Sequence, residues 1–359
     1  MDFGLSEEQE LLQETVRGFV DRECPPSRLR ELFDAGSGHD PGLWKGMAEM
    51  GLLGLGVPEA WGGAGLEVLD LALVAEVLGR GCVPGPFLGH ALACQALVLG
   101  GSDAQRERWL PALASGGALG SVALAEDGER WDPEDWTLAP RRGRLHGSKL
   151  YGPCADVADL LVIGIRGGGL ALVEKGAPGL RREPLNGVDR TRPLARIELA
   201  GTPCELLGAD PGVAARVRDA GLVVLAADAF GVASRLVQMT VDYARVRQQF
   251  GTPLAQFQGV KHQLANMATA IEPTRGLFWY AAHALDHLPA EAPRAAAIAK
   301  AHITDRALET ARAAVELHGG LGFTWECDVQ IWLKRAMFDR AFLGMPERQR
   351  ERSATLGGW

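Results

Sequence analysis

At roughly 150 residues per typical domain, a chain of 359 residues is long enough for two to three domains. Hydrophobic residues make up 47% of it and charged residues 23%, an ordinary globular balance that excludes a mainly disordered or fibrous protein. Thirty-seven basic against 45 acidic residues leave a net charge of −8, and no block of like charge stands out, which speaks against nucleic-acid binding through the whole surface.

Ser6 and Gln9 form a capping-box signature, and Leu11, Leu12, Val16 and Phe19 recur at helical spacing, so a helix is predicted from Ser6 to Phe19. Pro25-Pro26 interrupts it. A helix carrying Leu29 and Leu32 follows, then one around Trp44 and Met47. The stretch Gly51–Leu66 is too rich in Gly and Pro to continue as helix and reads as a structured loop. Leu69–Leu78 and Leu88–Leu99 resume helical patterns on either side of Pro84-Gly85-Pro86, so residues 1–116 read as a helical domain. From Ala118 the period changes. Short apolar runs at Gly120–Leu124, Ala158–Ile165, Leu170–Val173 and Ala195–Leu199, separated by turn residues, predict a β domain over 117–211. Trp131–Trp136 and Arg141–Arg144 read as polar, solvated loops between its strands. After Pro211-Gly212 the pattern is helical through 212–359, broken at Gly251-Thr252-Pro253, Pro289–Pro293 and Gly319–Gly322, as in an antiparallel bundle. Within it Leu254, Phe257, Val260, Leu264, Met267 and Ile271 make one apolar stripe for a partner helix. The predicted class is therefore α+β, without the strand–helix alternation of a Rossmann fold.

The first ten residues hold Asp2, Glu7, Glu8 and Glu10 and no Lys or Arg, the opposite of a leader. The most apolar run, Leu222–Ala227, is far short of the roughly 20 residues a bilayer needs, so a cytoplasmic protein without a membrane span is expected. Six cysteines lie at 24, 82, 94, 154, 204 and 327 without a C-x-x-C pair, and are expected to be free and buried. The eight histidines lack H-E-x-x-H spacing, so no metal site is expected.

Neither a G-x-G-x-x-G turn between strand and helix nor a G-x-x-x-x-G-K-[ST] loop is present. Two other segments could carry chemistry. Gly319-Gly320-Leu321-Gly322 follows a helical run ending at His318. Glycines there either stop the helix or let a phosphate approach backbone N–H groups. In Tyr243–Gln258, Arg247 lies where one helix ends before Gly251 and another starts after Pro253. Its planar fork suits anionic oxygens, or it is a surface ion-pair partner.

Together these segments resemble the acyl-CoA dehydrogenase family, over almost the whole chain. R-x-x-F-G-x-x-[LI]-x-x-[FH]-Q matches Arg247, Phe250, Gly251, Leu254, Phe257 and Gln258, and G-G-x-G-[FY] matches Gly319–Phe323. The opening Leu5–Val20, the loop Gly56–Leu66 and Tyr243 also look like their counterparts. The resemblance implies an N-terminal helical domain, a middle β-barrel and a C-terminal four-helix bundle. It further implies FAD shared across a subunit interface, with one chain holding the flavin ring and the neighbour's bundle clamping the diphosphate. By motif match the clamp would be Arg247, Gln249, Phe250, Gln258, Gly319 and Gly320, with Glu316 where the family usually has Gln.

In that family a Glu abstracts the α-proton of an acyl-CoA thioester while the β-hydrogen leaves as hydride to the flavin. Aligned from Gly319–Phe323 onward, the common base position falls on Gly344, and the second family position on Gly221. Neither can accept a proton. The T-E-P-x-x-G-S-D motif is eroded to Ala125-Glu126-Asp127 without G-S-D, and the W-[IV]-[TS] segment to Tyr151-Gly152-Pro153. Pro153 has neither hydroxyl nor N–H to donate.

A preserved clamp beside a lost base and ring site resembles the non-catalytic subunit of heteromeric acyl-CoA dehydrogenases of actinobacterial steroid side-chain breakdown. The implied assembly is an α2β2 heterotetramer with a homologous, base-containing subunit, otherwise a homo-oligomer. The alternatives are a self-sufficient dehydrogenase with a relocated base, for which Asp228, Asp339 and Glu347 are the candidates, or a flavin-free scaffold. An Asp inside an apolar helix fits either a base or a buried, hydrogen-bonded structural group.

Overall fold

The computed structural model describes residues 4–208, 210 and 212–359. Asp2 and Pro211, named above, lie outside the described residues. In chain order come α1 (Glu7–Glu23), α2 (Pro26–Ala35), α3 (Pro41–Glu49), α4 (Val68–Arg80), α5 (Phe87–Gly100) and α6 (Asp103–Ala114). Seven strands follow: β1 (Gly120–Ala123), β2 (Arg144–Pro153), β3 (Leu160–Ile165), β4 (Gly169–Glu174), β5 (Leu180–Leu185), β6 (Leu194–Pro203) and β7 (Glu205–Leu206). The rest is α7 (Gly212–Val246), a short hairpin of β8 (Gln248–Gln249) and β9 (Thr252–Pro253), α8 (Gln258–Ile271), α9 (Arg275–His287), α10 (Ala292–Leu317), α11 (Val329–Ala341) and α12 (Pro346–Leu356).

Contacts group the chain into two compact units. One contains the chain up to Glu31, Ala72–Val83 and Leu222–Trp359; the other contains Leu32–Leu71 and Pro84–Gly221. In the second unit, Leu160–Ile165 is buried at every position, as expected of a central strand covered on both faces. It pairs in parallel with β1 and antiparallel with β4, giving the order β1-β3-β4-β7. The other strands form a separate sheet in the order β2-β6-β5. Among the described residues the strands do not close into the expected barrel. β5 carries Arg181, Arg182 and Glu183 along a largely exposed edge, and β7 is two residues long, both ways of ending a sheet.

Trp131–Trp136 is not a solvated loop. Pro133–Asp135 forms a 3-10 turn, Trp131 and Trp136 are buried, and a Cβ on Gly164 would stand 2.7 Å from the Trp136 ring. Apolar weight from the two tryptophans outranks the charge of the residues between them.

In the first unit, α1 starts where the capping box placed it: the Gln9 N–H donates to Ser6 Oγ at 3.2 Å and the Ser6 N–H to Gln9 Oε1 at 3.1 Å. α4 and α7 pack backbone to backbone. A Cβ on Gly79 would lie 2.2 Å from the Asp228 carbonyl oxygen, and one on Gly231 would lie 2.0 Å from the Glu76 carbonyl oxygen. Only glycine permits that approach. α10 packs against α8, α9, α11 and α12, and Phe230 on α7 meets Phe278 on α9 at 5.5 Å between ring centres. The stripe on α8 is buried only at Met267 and Ile271.

By length and composition α7 could cross a membrane, although Leu222–Ala227 looked too short for that. Its most apolar window is 83% buried inside the fold, the pattern of a core helix. No disulfide joins the six cysteines, and all but the half-buried Cys204 are buried.

Candidate functional site

The two motif segments meet. The Tyr243 ring stacks on His318 at 4.3 Å, and its hydroxyl donates to the His318 carbonyl at 3.3 Å. This ties the end of α7 to the end of α10. Beyond Tyr243 the Leu254 N–H closes back on the Arg247 carbonyl at 2.8 Å, and Gln249 pairs with Thr252 across a two-residue turn. Phe250 and Gly251, the turn residues, have φ of +51° and +77°, the geometry of a primed hairpin turn. For glycine that is easy. For a bulky side chain it is strained by roughly 1–3 kcal/mol, yet Phe250 is 95% exposed and its burial in the chain compensates nothing.

Arg247, Gln249 and Gln258 are exposed on the same hairpin and the start of α8, and Glu316 is exposed on the last turn of α10. Gly319 and Gly320 follow in a 3-10 turn, Gly319 with φ +62°. A Cβ on either would meet nothing within 4 Å, unlike Gly322, where it would lie 2.3 Å from the Val315 carbonyl oxygen. Packing inside the chain therefore does not demand glycine at 320. Phe323, Val246 and Trp325 are exposed in the same segments, an apolar surface around the open glycines.

The two expected base positions are shaped for other purposes. Gly344 is buried with φ +94°, in the chain reversal between α11 and α12, a conformation that side-chain-bearing residues rarely adopt. Its carbonyl accepts from the buried Lys300 Nζ at 3.2 Å, which also donates to the Arg340 carbonyl at 3.0 Å. Gly221 is buried in α7. Of the replacement candidates, Asp228 is fully buried and accepts from Arg335 Nε at 3.2 Å, while the same guanidinium donates to the Val83 carbonyl at 2.7 Å. Asp339 is fully buried on α11. Glu347 is exposed and paired with Arg340 at 2.7 Å.

In the strand segments expected to line a flavin ring, several polar groups are engaged within the chain. Glu126 accepts from Lys149 Nζ at 2.8 Å, from the Thr137 N–H and hydroxyl at 2.8 and 2.6 Å, and from the Leu138 N–H at 3.0 Å. Burial pushes its carboxyl up, but these donors outweigh burial and bring it down to about 2. Lys149, fully buried, lies 4.8 Å from the Trp136 ring centre. Tyr151, at φ +59°, stacks on Trp131 at 5.7 Å. The N–H groups around Pro153 are also engaged, Leu150 with the Ala125 carbonyl and Cys154 with the Pro193 carbonyl. Neither Lys149 nor Lys300 is marked by a motif; Lys300 alone stands as a lone Lys in an apolar run, residues 295–301.

Residues 6–117 match the family model for the acyl-CoA dehydrogenase N-terminal domain, and residues 219–355 the model for the acyl-CoA dehydrogenase C-terminal domain. The chain belongs to the acyl-CoA dehydrogenase family. It is 35% identical to the acyl-CoA dehydrogenase IpdE2 of Mycobacterium tuberculosis, over 95% of this chain and 94% of that one. It is 34% identical to the acyl-CoA dehydrogenase FadE34 of the same organism, over 98% of this chain and 48% of the relative. Among solved structures, a variant of the steroid acyl-CoA dehydrogenase Tcur3481-Tcur3483 superposes with a TM-score of 0.91 at 32% identity, covering 98% of both chains. Acyl-CoA dehydrogenases are flavin-dependent oxidoreductases. The described geometry fits the diphosphate half of such a cofactor, through Gly319, Gly320 and the exposed hairpin. At the ring half, the Glu126 carboxylate and the N–H groups of Leu150 and Cys154 are already engaged within the chain.

Two predictions follow from the buried charges. Asp228→Asn should destabilise the fold by about 3–5 kcal/mol, because it leaves the Arg335 guanidinium buried without its counter-charge. Denaturant titration measures this, and a loss under about 1 kcal/mol would refute a structural ion pair. Lys300 is pulled from the ordinary 10.5 to about 7, first by burial, against the opposing charge of Asp339. Between those pH values the unfolded chain binds a proton that the folded chain has released, so stability rises with pH across that window. Lys300→Met should flatten the rise, read by unfolding at pH 7 and pH 10.

Proposed function

We propose that this chain is the non-catalytic, FAD-clamping subunit of a heteromeric acyl-CoA dehydrogenase that introduces an α,β double bond into an acyl-CoA thioester. One observation carries the reading. The residue aligned with the family's base, Gly344, is buried with positive φ and its carbonyl is held by Lys300, a turn position with no side chain to accept a proton. FAD, when bound, supplies the hydride acceptor. This chain's part is to hold the diphosphate with Arg247, Gln249, Phe250, Gln258, Gly319 and Gly320, and to present Phe250 and Phe323 to a homologous, base-containing subunit. Burial of Phe250 by that partner would offset the strain at its backbone. The name of the solved steroid dehydrogenase Tcur3481-Tcur3483, which joins two components, supports a two-chain enzyme and a bulky, steroid-type acyl group. One clamp per partner ring site gives a 1:1 ratio of the two chains, which an α2β2 heterotetramer satisfies.

The test is coexpression. Purified alone, the chain should retain little flavin, and copurified with a base-containing homologue it should carry tightly bound flavin. A monodisperse monomer that retains FAD contradicts the reading, as does a flavin-free complex.

A further inference from the structure

Arg17 on α1, Arg80 at the end of α4 and Arg235 on α7 line one cavity of about 230 Å³ in the first unit. Three other buried or half-buried arginines of that unit have carboxylates: Arg30 has Asp328 at 2.5 Å, Arg275 has Glu76 at 2.6 Å, and Arg335 has Asp228. Among the described residues no hydrogen bond or ion pair is made by the guanidinium of Arg17, Arg80 or Arg235. Asp21 is the one carboxylate on the cavity wall, and Glu76 nearby is already engaged by Gln13 at 2.9 Å and by Arg275. The wall thus carries three positive charges against one negative, a surplus of two. Arg80 feels the crowding. Burial first, then the charges of Arg235 and Arg17, lower its proton affinity from the ordinary guanidinium value.

The walls are fixed in place. Trp332 Nε1–H donates to the Arg80 carbonyl at 3.0 Å, a Cβ on Gly81 would lie 2.4 Å from a Val20 methyl, and the Gly231 contact locks α7 against α4. Like charges held together in a cavity raise the energy of the fold unless an anion joins them. Apolar lining from Val20, Leu29 and Trp332 favours a ligand with a small organic body.

We propose that Arg17, Arg80 and Arg235 form a binding site for a compact dianion, a phosphate monoester or a small dicarboxylate, separate from the clamp at Arg247 and Gly319. A dianion neutralises the surplus of two charges, and the planar guanidinium forks suit both oxyanions. The site lies within one unit of the chain and needs neither flavin nor a partner.

The experiment is calorimetric titration of the full chain with inorganic phosphate and, separately, with succinate, at constant ionic strength set with chloride. One-to-one saturable binding at millimolar concentration is expected for at least one probe, and the tighter of the two names the chemical source. Arg235→Gln and Arg17→Gln should each weaken it at least tenfold, and Asp21→Asn should tighten it. Circular dichroism checks that each variant is folded, and Arg235→Lys, which keeps the charge, should retain more affinity than Arg235→Gln. Absence of saturable heat with both probes overturns the proposal, as does an affinity that Arg235→Gln and Arg17→Gln leave unchanged.

Discussion

Isolated, supplied with excess FAD and mixed rapidly with straight-chain, branched or steroid CoA thioesters, the chain is expected to leave the oxidised flavin band unbleached. A positioned general base is worth at least about a hundredfold in such a proton abstraction. Gly344 and Gly221 offer no acceptor, Asp228 is committed to Arg335, and Glu347 is out in solvent on Arg340. Asp339 is the remaining candidate, buried on α11. Bleaching at an ordinary turnover rate overturns the non-catalytic reading. In that event Asp339→Asn and Glu347→Gln test two of the candidates, since the responsible change abolishes turnover with fold and flavin intact, whereas loss of turnover in Asp228→Asn counts only where the variant is shown to remain folded.

In the proposed complex with a base-containing homologue, Arg247→Ala should lower flavin retention at least tenfold, the loss of one charge-assisted contact of about 1.5–3 kcal/mol. Gly320→Leu is the sharper variant. A Cβ there meets nothing within 4 Å in the chain, so the isolated subunit should keep its unfolding midpoint. Flavin retention in the complex should nevertheless collapse, because the new side chain fills the space a diphosphate would take. Unchanged flavin absorbance per complex in both variants removes these residues from the clamp. A fall in the isolated chain's stability would assign Gly320 a packing role instead.

Much of this architecture was legible from local signals. The Ser6–Gln9 box places the start of α1, and the apolar runs at 120, 158, 170 and 195 become β1, β3, β4 and β6. β2 and β5 were not legible. β2 is interrupted by Gly147 and Gly152 and bulged against β6, and β5 is a charged edge strand, so neither shows a clean two-residue period. The residues proposed for the clamp stand out as motifs, but their exposure does not, because the sequence does not say which apolar residues the chain leaves uncovered. Lys149 and Lys300 were illegible for a related reason: a buried ammonium is recognised only once its acceptors, Glu126 in one case and two carbonyls in the other, are known in space.

The close crossing of α4 and α7 has a consequence for how mutations combine. Gly79 presses on the carbonyl of Asp228, while three residues along each helix Gly231 presses on the carbonyl of Glu76 and, at 2.7 Å, on the amide nitrogen of Arg80. A methyl group at either glycine must pry the two axes apart, and once they are apart the other glycine has room. Gly79→Ala and Gly231→Ala are therefore epistatic: the double substitution costs less than the sum of the singles, since one displacement accommodates both. Neutral drift at this crossing is closed to single steps and open to pairs, so the first alanine is the evolutionary barrier and the second comes nearly free.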